Sequence, residues 1–470
     1  MTMMNGTAPA EQAATDRLTK IKRIHFVGIG GSGMSPLAEI LHTKGYILSG
    51  SDNNESDNVN RIRSLGIPVH MGHRAENIAG AELVVYTAAI NQHNPELEEA
   101  RRQGIPLLER AKLLGWITRG YSHTVAVAGT HGKTTTTSMI AQILLQANLD
   151  PSLFIGGRLP LINANGRAGS SSTMVCEACE FQDHYLEMRP AVSVILNIDA
   201  DHLDYFGSLE GVISSFRRFA EQTTDTLILN RDDPNTLRAL EGIAGKTCIT
   251  FGREDDCDWQ ARRIREEDAY GVYDLYHKGN FLATVRLGVP GAHNVLNSLA
   301  AAAAASLCGA TTEQIVDGLA AFRGAGRRFE FLGTFRGVTI ADDYAHHPTE
   351  ISATINAAKG MGYQQVWAIF QPFTYSRTAR HLDGFVSSLS AADKVIVSDI
   401  MGSREENVWQ VSSEQITDRI PGSLYLPTFE DIAAYVTDHV HEGTLVLTMG
   451  GGDIYKCARM IASRLETPRS

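Results

Sequence analysis

The chain has 470 residues, a formal net charge of −11, and 43% hydrophobic and 7% aromatic residues. At about 100–200 residues per domain, this length predicts two to four domains, each able to bury an ordinary core. The negative charge argues against nucleic acid as a partner. No apolar run approaches the roughly 20 residues that span a bilayer, so no membrane partner is expected either.

Two features favour a cytoplasmic protein. Residues 1–20 lack a basic segment followed by an apolar one, so we interpret them as a disordered lead-in and not as a secretory signal. Among six cysteines only Cys176 and Cys179 form a C-x-x-C pair, and no second pair of ligands stands at a spacing typical of zinc sites. We expect reduced, packed thiols, which suit a reducing compartment.

The first structured segment, predicted over residues 21–118, alternates strands and helices. IHFVGI predicts a short apolar strand, a glycine loop follows it, and MSPLAEILHTKG has the apolar spacing of a helix that ends at a glycine. YILSGSD, PVHMG and ELVVYTAAI predict further strands, and RIRSLG a helix. This alternation predicts a parallel, Rossmann-like sheet.

The second segment, predicted over residues 119–325, opens with the strand HTVAVA, the loop GTHGK and a helix. TMVCEA, VSVILNI, DTLILN and KTCITF predict four more strands. Between about residues 255 and 290, alternating and turn-forming residues predict a β-hairpin or a small meander. An alanine-rich helix, GAHNVLNSLAAAAAASLCG, follows, and we expect its small side chains to pack closely on the sheet.

The third segment, predicted over residues 326–470, alternates in the same way. Its predicted strands are VTIADDYA, QVWAIFQ, KVIVSDI, SLYLP and TLVLTMG. Its predicted helices are HPTEISATINAAK, SRTARHLDGFVSSL, FEDIAAYVTDHV and IYKCARMIASRL. The predicted fold class is therefore α/β, with three domains.

The first glycine loop is a complete G-x-G-x-x-G at residues 28–33. It follows a strand, opens a helix, and Asp52 ends the next strand about 20 residues later. Glycines there let backbone N–H groups approach a pyrophosphate at the helix N-terminus. The pattern favours nucleotide binding without saying which nucleotide binds.

The second loop, GTHGKTTTT, departs from the usual phosphate-loop pattern. G-x-x-x-x-G-K-[ST] would need a glycine at position 127, which is Val127, and the upstream glycine is Gly129. The setting is nevertheless that of a phosphate loop: a strand, a glycine loop, Lys133, and Thr134 at the start of a helix. Lys133 is expected to reach phosphate oxygens and the Thr134 hydroxyl to bind Mg²⁺. Two phosphate loops on successive domains suggest two phosphorylated ligands, which weakens a dehydrogenase interpretation.

Acidic and imidazole side chains follow the next two strands. Glu177 ends TMVCEA, and His202 lies in NIDADHLDYF after the following strand. Ligands of open α/β sheets bind at the carboxyl ends of strands, so both residues are expected near Thr134, as a Mg²⁺ site with a second, softer position at His202. For Asp201 and Asp204, capping of the following turn is an equally good interpretation.

A third cluster, ADDYAHHPTE at residues 341–350, ends a strand of the third segment. Asp343 and His346 are among its polar residues, and a purely structural role does not cover the whole set. FQPFTYSRT places Arg377 after the next strand, at the same sheet edge, where it could clamp a carboxylate bidentately.

Together these motifs resemble the Mur ligase family, the ATP-dependent amide-forming ligases of peptidoglycan synthesis. The matching pieces, from about residue 24 to residue 454, are HFVGIGGSGMSPLAEIL, AGTHGKTTTT, EACE, NIDADHLDYF, GAHNVLNSLAA, FRGAGRRFE, DDYAHHPTEI, FQPFTYSRT and TMGGGDI. Their order along all three segments is highly specific. The resemblance implies a Rossmann-like N-terminal domain, a P-loop central ATPase domain and a Rossmann-like C-terminal domain.

The resemblance also implies the ligands and the site residues. The N-terminal domain would bind the UDP part of a sugar nucleotide through Gly28, Gly30, Gly31, Ser32, Gly33, Met34, Asp52 and Thr87. ATP would be bound by Gly129, Thr130, His131, Gly132, Lys133, Thr134, Thr135, Asn294, Asn297, Arg328 and Asp343. Mg²⁺ would be held by Thr134, Glu177 and His202. The implied catalytic residues are Lys133, His346 and Arg377, the last two where the amino acid is expected.

The implied reaction joins two small molecules, UDP-N-acetylmuramate and L-alanine. ATP phosphorylates the muramoyl carboxylate to an acyl phosphate, and the alanine amine displaces phosphate. The amine needs a base, for which His346 is the candidate. We expect a monomer or weak homodimer, with ATP contacts from two domains implying domain closure.

Three places separate family members. SSFRRFAE holds Arg217 and Arg218 where members that add later residues carry a lysine, which agrees with the alanine-adding member. Phe373 stands where the family usually has histidine, and EACE replaces the common EADE. The nearest competitor is the recycling ligase that attaches a ready-made tripeptide. An NAD-dependent oxidoreductase and a hydrolytic NTPase switch are the alternatives from other classes.

Overall fold

The computed structural model describes residues 20–88, 90–403 and 405–466, so the predicted lead-in, apart from Lys20, lies outside the described residues. The chain divides into two compact units. One runs to Cys257 and includes Ala300–Gln314, and the other holds Asp258–Leu299 and the chain from Ile315 onward. Within the described ranges, no helix is both long and apolar enough to cross a membrane.

The N-terminal sheet has five parallel strands in the order β3-β2-β1-β4-β5. The strands are β1 Arg23–Val27, β2 Ile47–Asp52, β3 Val69–Met71, β4 Leu83–Tyr86 and β5 Leu107–Glu109. The helices are α1 Ser35–Thr43, α2 Asp57–Ser64, α3 Pro95–Gln103 and α4 Arg110–Thr118. The strand order reverses between β1 and β4, which is where an open α/β sheet binds its ligand, and the first glycine loop follows β1.

The central sheet of the first unit has the order β12-β11-β10-β6-β9-β7-β8. Its strands are β6 His123–Ala128, β7 Ser152–Leu159, β8 Ala164–Arg167, β9 Thr173–Glu177, β10 Val192–Ile195, β11 Thr226–Asn230 and β12 Thr247–Gly252. Its helices are α5 Lys133–Gln146, α6 Leu203–Phe206, α7 Leu209–Gln222 and α8 Pro234–Leu240. The β7–β8 pair, the antiparallel edge of this sheet, is an addition to the predicted strands.

The second unit begins with the predicted meander, which consists of β13 Trp259–Glu267, β14 Tyr270–His277 and β15 Asn280–Pro290 in antiparallel pairs. The helices α9 His293–Leu307 and α10 Thr312–Ala321 follow along the chain, and the residues of both that fall within Ala300–Gln314 are counted with the first unit. The alternation predicted between residues 255 and 290 is thus confirmed, since its turns fall between the strands.

The C-terminal sheet has six strands in the order β16-β17-β21-β18-β19-β20. They are β16 Glu330–Phe335, β17 Val338–Asp343, β18 Gln365–Phe370, β19 Lys394–Val397, β20 Leu424–Tyr425 and β21 Thr444–Met449. The helices are α11 Pro348–Lys359, α12 Tyr375–Arg380, α13 Leu382–Leu389, α14 Glu414–Thr417, α15 Phe429–His439 and α16 Tyr455–Glu466. SRTARHLDGFVSSL was wrongly predicted as one helix, because His381 leaves the helical region at φ −110° and ψ 20°.

Buried apolar side chains on the strands and helices hold these layers together. One core cluster joins the N-terminal and central sheets and includes Phe26, Leu113 and Phe216, all fully buried. The C-terminal sheet has a separate apolar cluster on each face, as a buried sheet with helices on both sides requires. The predicted α/β class with three sheets is confirmed. The boundaries predicted after residues 118 and 325 fall between the sheets and stay predictions.

Candidate active site

The first glycine loop is held in place by hydrogen bonds to the end of β2. The N–H groups of Gly28 and Ile29 donate to the carbonyl oxygen of Ser51 at 2.8 and 3.0 Å. Asp52 Oδ2 accepts the N–H of Gly30 at 2.9 Å. A Cβ at Gly30 would lie 2.9 Å from that same carboxylate oxygen, so the close approach requires glycine. Asp52, predicted as a ligand residue, therefore helps to hold the loop in place from the end of β2.

The remaining residues predicted for this pocket differ in position. Gly31 and Ser32 are exposed. Thr87 lies beside the loop, with its Cγ2 4.0 Å from a Cβ built at Gly28. Met34 is 1% exposed in the apolar core, and its N–H donates to Gly31 O at 2.9 Å. These contacts give Met34 a packing role, and they lend no support to its predicted role in binding.

The second glycine loop is clamped to the chain that follows β10. The N–H of Thr130 donates to Asn197 O at 3.0 Å, and the N–H of His131 donates to Asn197 Oδ1 at 2.8 Å. The N–H of Asp199 donates to Thr130 Oγ1 at 2.9 Å. Gly132, in the left-handed region at φ 86°, forms the N-cap of α5. The loop is therefore fixed before any ligand binds.

Lys133 folds back into this loop. Its Nζ donates to Gly129 O at 2.5 Å, to Thr130 O at 3.1 Å and to Glu180 Oε1 at 2.9 Å. The side chains of Lys133 and Glu180 are 14% and 3% exposed. Burial lowers the pKa of Lys133, but the negative charges of Glu180 and its neighbours outweigh burial and raise the pKa above its ordinary value. Lys133 is therefore a charged group at a fixed place.

Glu180 was missed by the sequence reasoning. The available signal was the second glutamate of EACE, which lies just beyond the end of β9. Its buried carboxylate needs a cationic partner, and Lys133 is that partner.

Thr134 and Glu177 meet at the same sheet edge. Thr134 Oγ1 donates to Glu177 Oε2 at 2.8 Å, and the N–H of Gly156 donates to the same oxygen at 2.9 Å. The register of β6 and β9 pairs Val127 with Glu177, which brings the end of β9 beside the loop after β6. A Cβ at Gly156 would overlap the Glu177 carboxylate. A hydroxyl and a carboxylate in contact fit the oxygen ligands that Mg²⁺ takes.

His202 is the N-cap residue of α6 and has a left-handed conformation, at φ 52°. Its ring lies on that of Phe181, with 4.9 Å between centroids, and its Nε2 is 3.7 Å from Asp201 Oδ2. Asp201 also accepts the N–H of His202 at 2.8 Å, which agrees with a local, turn-forming role for this aspartate. The role of His202 as a metal ligand stays a prediction, and the side chain of Asp204 lies outside the description.

Two arginines occupy the place where other family patterns have lysine. Arg218 pairs with Asp183 at 3.2 Å, and Arg217 donates to the Glu241 carbonyl at 2.8 Å. Both therefore have structural partners.

The two cysteines of the C-x-x-C pair are free thiols. Burial raises the pKa of Cys176 to about 12 and that of Cys179 to about 11. These thiols stay protonated at neutral pH, as expected of packed cysteines.

The predicted ATP contacts of the second unit lie in two places. At the start of α9, Asn297 Nδ2 donates to Asn294 Oδ1 at 2.9 Å, and Asn294 Nδ2 donates to Pro290 O at 2.6 Å. At the end of β17, Asp343 accepts the N–H groups of Phe329 and Ala345, each at 2.7 Å. Burial raises the pKa of Asp343 to about 6, against the opposing charge of Arg328.

An arginine that the sequence reasoning did not assign ties two motifs of the C-terminal sheet together. Arg327 pairs with Asp342 at 3.1 Å and donates to the carbonyls of Gly450 and Gly452 at 2.8 and 2.7 Å. It thereby links GRRFE to TMGGGDI.

His346 and Phe373 approach each other across Gly451. A Cβ built at Gly451 would lie 3.4 Å from both rings. His346 Nδ1 is 2.9 Å from the carbonyl oxygen of Tyr344. A carbonyl accepts only from an N–H, so Nδ1 carries the hydrogen and Nε2 is the basic nitrogen of the neutral ring. Arg377, in the first turn of α12, remains a predicted contact for the amino acid.

Three family models cover most of the chain. The Mur ligase family catalytic domain matches residues 23–122, the Mur ligase middle domain residues 127–305, and the Mur ligase glutamate ligase domain residues 327–452. The chain therefore belongs to the Mur ligase family.

Its similar proteins point to particular members of that family. Proteins named UDP-N-acetylmuramate--L-alanine ligase from Caldanaerobacter subterraneus and Agathobacter rectalis are 44% and 45% identical, over 93% and 92% of this chain and 97% and 95% of theirs. The crystal structure of UDP-N-acetylmuramate-alanine ligase MurC from Thermotoga maritima is 28% identical, with a TM-score of 0.80, over 94% of this chain and 98% of that one.

Two further solved structures are also similar. A murein peptide ligase from Psychrobacter arcticus is 25% identical, with a TM-score of 0.74, over 96% of this chain and 100% of that one. The MurF ligase of T. maritima, solved in complex with ADP, has a TM-score of 0.61 over 89% of this chain and 95% of that one. At 18% identity, the MurF likeness shows the fold alone.

Proposed function

We propose that this chain joins L-alanine to UDP-N-acetylmuramate by an ATP-dependent reaction, as a step of cytoplasmic peptidoglycan precursor synthesis. One observation carries the proposal: curated proteins named for this ligation are 41–45% identical to the chain over nearly its whole length. The family uses ATP. Family membership also favours a ligase over the oxidoreductase that the first glycine loop alone would allow.

The proposed reaction has two steps. An oxygen of the muramoyl carboxylate attacks the γ-phosphorus of ATP, the bond to the β-phosphate oxygen breaks, and ADP leaves. The alanine amine then attacks the acyl carbon, the bond to the phosphate oxygen breaks, and the amine gives up its proton. Phosphate leaves and an amide remains.

The role we give to the second glycine loop is to hold and neutralise the transferred phosphoryl group. Lys133 supports this role because it is charged and already fixed in the loop. We assign Mg²⁺ to the hydroxyl of Thr134 and the carboxylate of Glu177, with His202 as a further ligand. When bound, Mg²⁺ would offset the negative charge of the phosphate oxygens. Positioning and electrostatics would supply most of the rate enhancement.

For the second step we assign the base to His346 and the grip on the alanine carboxylate to Arg377. The base assignment is supported by the contact of His346 Nδ1 with a carbonyl oxygen, because that contact leaves Nε2 as the proton acceptor. Asn294, Asn297, Arg328 and Asp343 stay predictions as ATP contacts. A monomeric or weakly dimeric state is a further part of the proposal.

A murein peptide ligase is the competing function. A solved structure with that name is 25% identical to this chain, so the two activities must be separated by substrate. DDYAHHPTEI and EACE favour alanine addition over peptide recycling, and Arg217 and Arg218 in place of the lysine favour it over the members that add later residues. Phe373 leaves selectivity among small amino acids to experiment.

The test is an end-point assay with UDP-N-acetylmuramate, ATP and each amino acid in turn, with one arm that offers the preformed tripeptide. We expect phosphate release that needs both substrates, and a product whose mass has increased by one alanine residue. Efficient use of the tripeptide without alanine would replace the proposal with peptide recycling. ATP turnover indifferent to both substrates would overturn ligation altogether. Sizing of the purified chain by light scattering tests the oligomeric state.

A further inference from the structure

One arginine of the first unit lies against the first glycine loop and is absent from every assignment above. Arg110 is the first residue of α4, and it lies beside the last glycine of the loop. A Cβ built at Gly33 would be 3.0 Å from an Arg110 terminal nitrogen and 3.2 Å from its Cδ. The guanidinium therefore lies directly over the backbone of Gly33, where any larger residue would push it away.

Arg110 is half-buried, and within the described part of the chain its guanidinium has no hydrogen bond, no ion pair and no aromatic ring in contact. Two arginines on the helices beside the same sheet differ: Arg61 of α2 pairs with Glu39, and Arg102 of α3 pairs with Glu99. Its neighbour Glu109 is paired with a histidine, with Oε1 3.6 Å from His184 Nε2. A guanidinium that lies at the glycine loop and forms no ion pair with the described residues is suited to an anionic ligand.

The position of Arg110 is fixed by packing. α4 lies on the segment Phe181–Glu187, and a Cβ at Gly115 would overlap the Glu187 carbonyl, so the two backbones are in close contact. Burial lowers the pKa of His184, and the charge of Arg110 acts in the same direction against that of Glu109. Arg110 thus lies between the first glycine loop and the segment that leads back to Glu177.

We propose that Arg110 binds the diphosphate of the sugar nucleotide and supplies the positive charge that the first glycine loop itself lacks. The loop offers only neutral N–H groups, and the nearest fixed carboxylate, Asp52, is already bonded to Gly30. A planar guanidinium can donate two parallel hydrogen bonds to phosphate oxygens. The proposal rests on the proposed function, because that function supplies the diphosphate.

The test compares Arg110→Ala and Arg110→Lys with the wild type by calorimetric titration of UDP-N-acetylmuramate, UDP and UMP. Removing a charged hydrogen-bond donor should lower the affinity for UDP-N-acetylmuramate and for UDP by about 10-fold to 100-fold. The affinity for UMP, which lacks the second phosphate, should fall by less than about threefold. Arg110→Lys should recover part of the affinity that Arg110→Ala loses. The KM for UDP-N-acetylmuramate should rise, while the KM values for ATP and alanine stay unchanged.

Arg102→Ala, which removes an exposed arginine of helix α3 beside the same sheet, is the matched control and should change none of these values. Unchanged UDP affinity in a folded Arg110→Ala protein would overturn the inference. An equal loss for UMP and UDP would also overturn it, because the contact would then not be to the diphosphate. Failure of the wild type to bind UDP-N-acetylmuramate would instead count against the proposed function.

Discussion

The two glycine loops of the first unit each follow a parallel strand, but they differ in charge and in how they are held. The loop at residues 28–33 contains no cation and is held through Ser51 and Asp52 at the end of β2. The loop at residues 129–133 ends in Lys133, which is bonded to two loop carbonyls and to Glu180. The first loop suits a ligand that is only bound, and the second suits a phosphoryl group whose charge changes during reaction.

Each loop is also supported by a buried acid. Glu180 pairs directly with Lys133. Beneath the first loop, Glu96 accepts from Ser51 Oγ at 2.6 Å and from Asn77 Nδ2 at 2.5 Å. We expect Glu180 to matter for the reaction, because it holds the cation of the second loop. We expect Glu96 to matter for the conformation of the first loop, which carries no cation. Substitutions at each loop can test this distinction.

Lys133→Ala should separate the loops most clearly. We expect kcat to fall by about 10³-fold, because the charge opposite the transferred phosphoryl group is lost. Affinity for UDP-N-acetylmuramate should change by less than about twofold, since Lys133 is not part of the first loop, where we expect that ligand to bind. Steady-state kinetics and calorimetry measure the two quantities.

The same change leaves Glu180 buried without its partner and should also lower stability. Lys133→Ala combined with Glu180→Gln is the control, which should regain thermal stability without regaining activity. If the double variant were active, Lys133 would be a structural residue and the contrast between the loops would disappear.

Glu177→Gln should weaken the metal site of the second loop alone. We expect activity to fall by about 100-fold at fixed Mg²⁺, because an amide oxygen carries less charge than a carboxylate. Part of the loss should be recovered at higher Mg²⁺. Glu221→Gln, at a side chain 52% exposed, is the control. A Mg²⁺ titration curve that coincides with that of the wild type would remove Glu177 from the metal site.

A methyl group at one glycine of each site should give opposite results. Gly33→Ala places a Cβ against Arg110 and should raise the KM for UDP-N-acetylmuramate by about tenfold, with ATP unaffected. Gly156→Ala pushes on the Glu177 carboxylate and should raise the KM for ATP by about tenfold, with the sugar nucleotide unaffected. Each variant controls for the other. Equal effects on both substrates would mean that the two sites are not separable.

Glu96→Gln should change stability more than activity. Burial raises the pKa of Glu96, but the His25 imidazole, whose Nε2 lies 3.8 Å away, and the hydrogen bonds from Ser51 and Asn77 outweigh burial and lower that pKa from 4.5 to about 2. A lowered pKa in the folded protein means that the carboxylate stabilises the fold above about pH 4.5. This contribution is lost as the pH falls from there towards about 2.

We therefore expect Glu96→Gln to lower the free energy of unfolding by about 1–3 kcal/mol at pH 7. The decline of that free energy between about pH 4.5 and 2 should also be flatter in the variant. Urea unfolding across this range is the measurement, with Glu98→Gln, 56% exposed, as the control. The KM for UDP-N-acetylmuramate should rise only a few-fold. A wild-type pH profile in the variant would show that Glu96 is not the titrating group.

Much of this architecture could be predicted from the sequence because the determining features are local. Strand, glycine loop and helix succeed each other within a few residues at both loops, Lys133 and Thr134 directly follow the second loop, and Glu177 ends an apolar strand of its own. Strand-to-helix alternation likewise predicts parallel sheets. The single helix predicted around His381 was wrong, because one residue outside helical φ and ψ interrupts a pattern that stays apolar on both sides.

The remaining parts of the site were decided by tertiary structure. Lys133 and Glu180 lie 47 residues apart in the chain and meet because β6 and β9 are neighbours in register. Gly33 and Arg110 meet because α4 packs beside the first loop. Sequence patterns extend over a few turns of chain, whereas these contacts depend on strand order and helix packing. Local sequence patterns were enough to predict which two loops would bind phosphates. Only the tertiary structure decided which charges stand beside them, because a charge acts over ångströms of space, whatever the number of residues between.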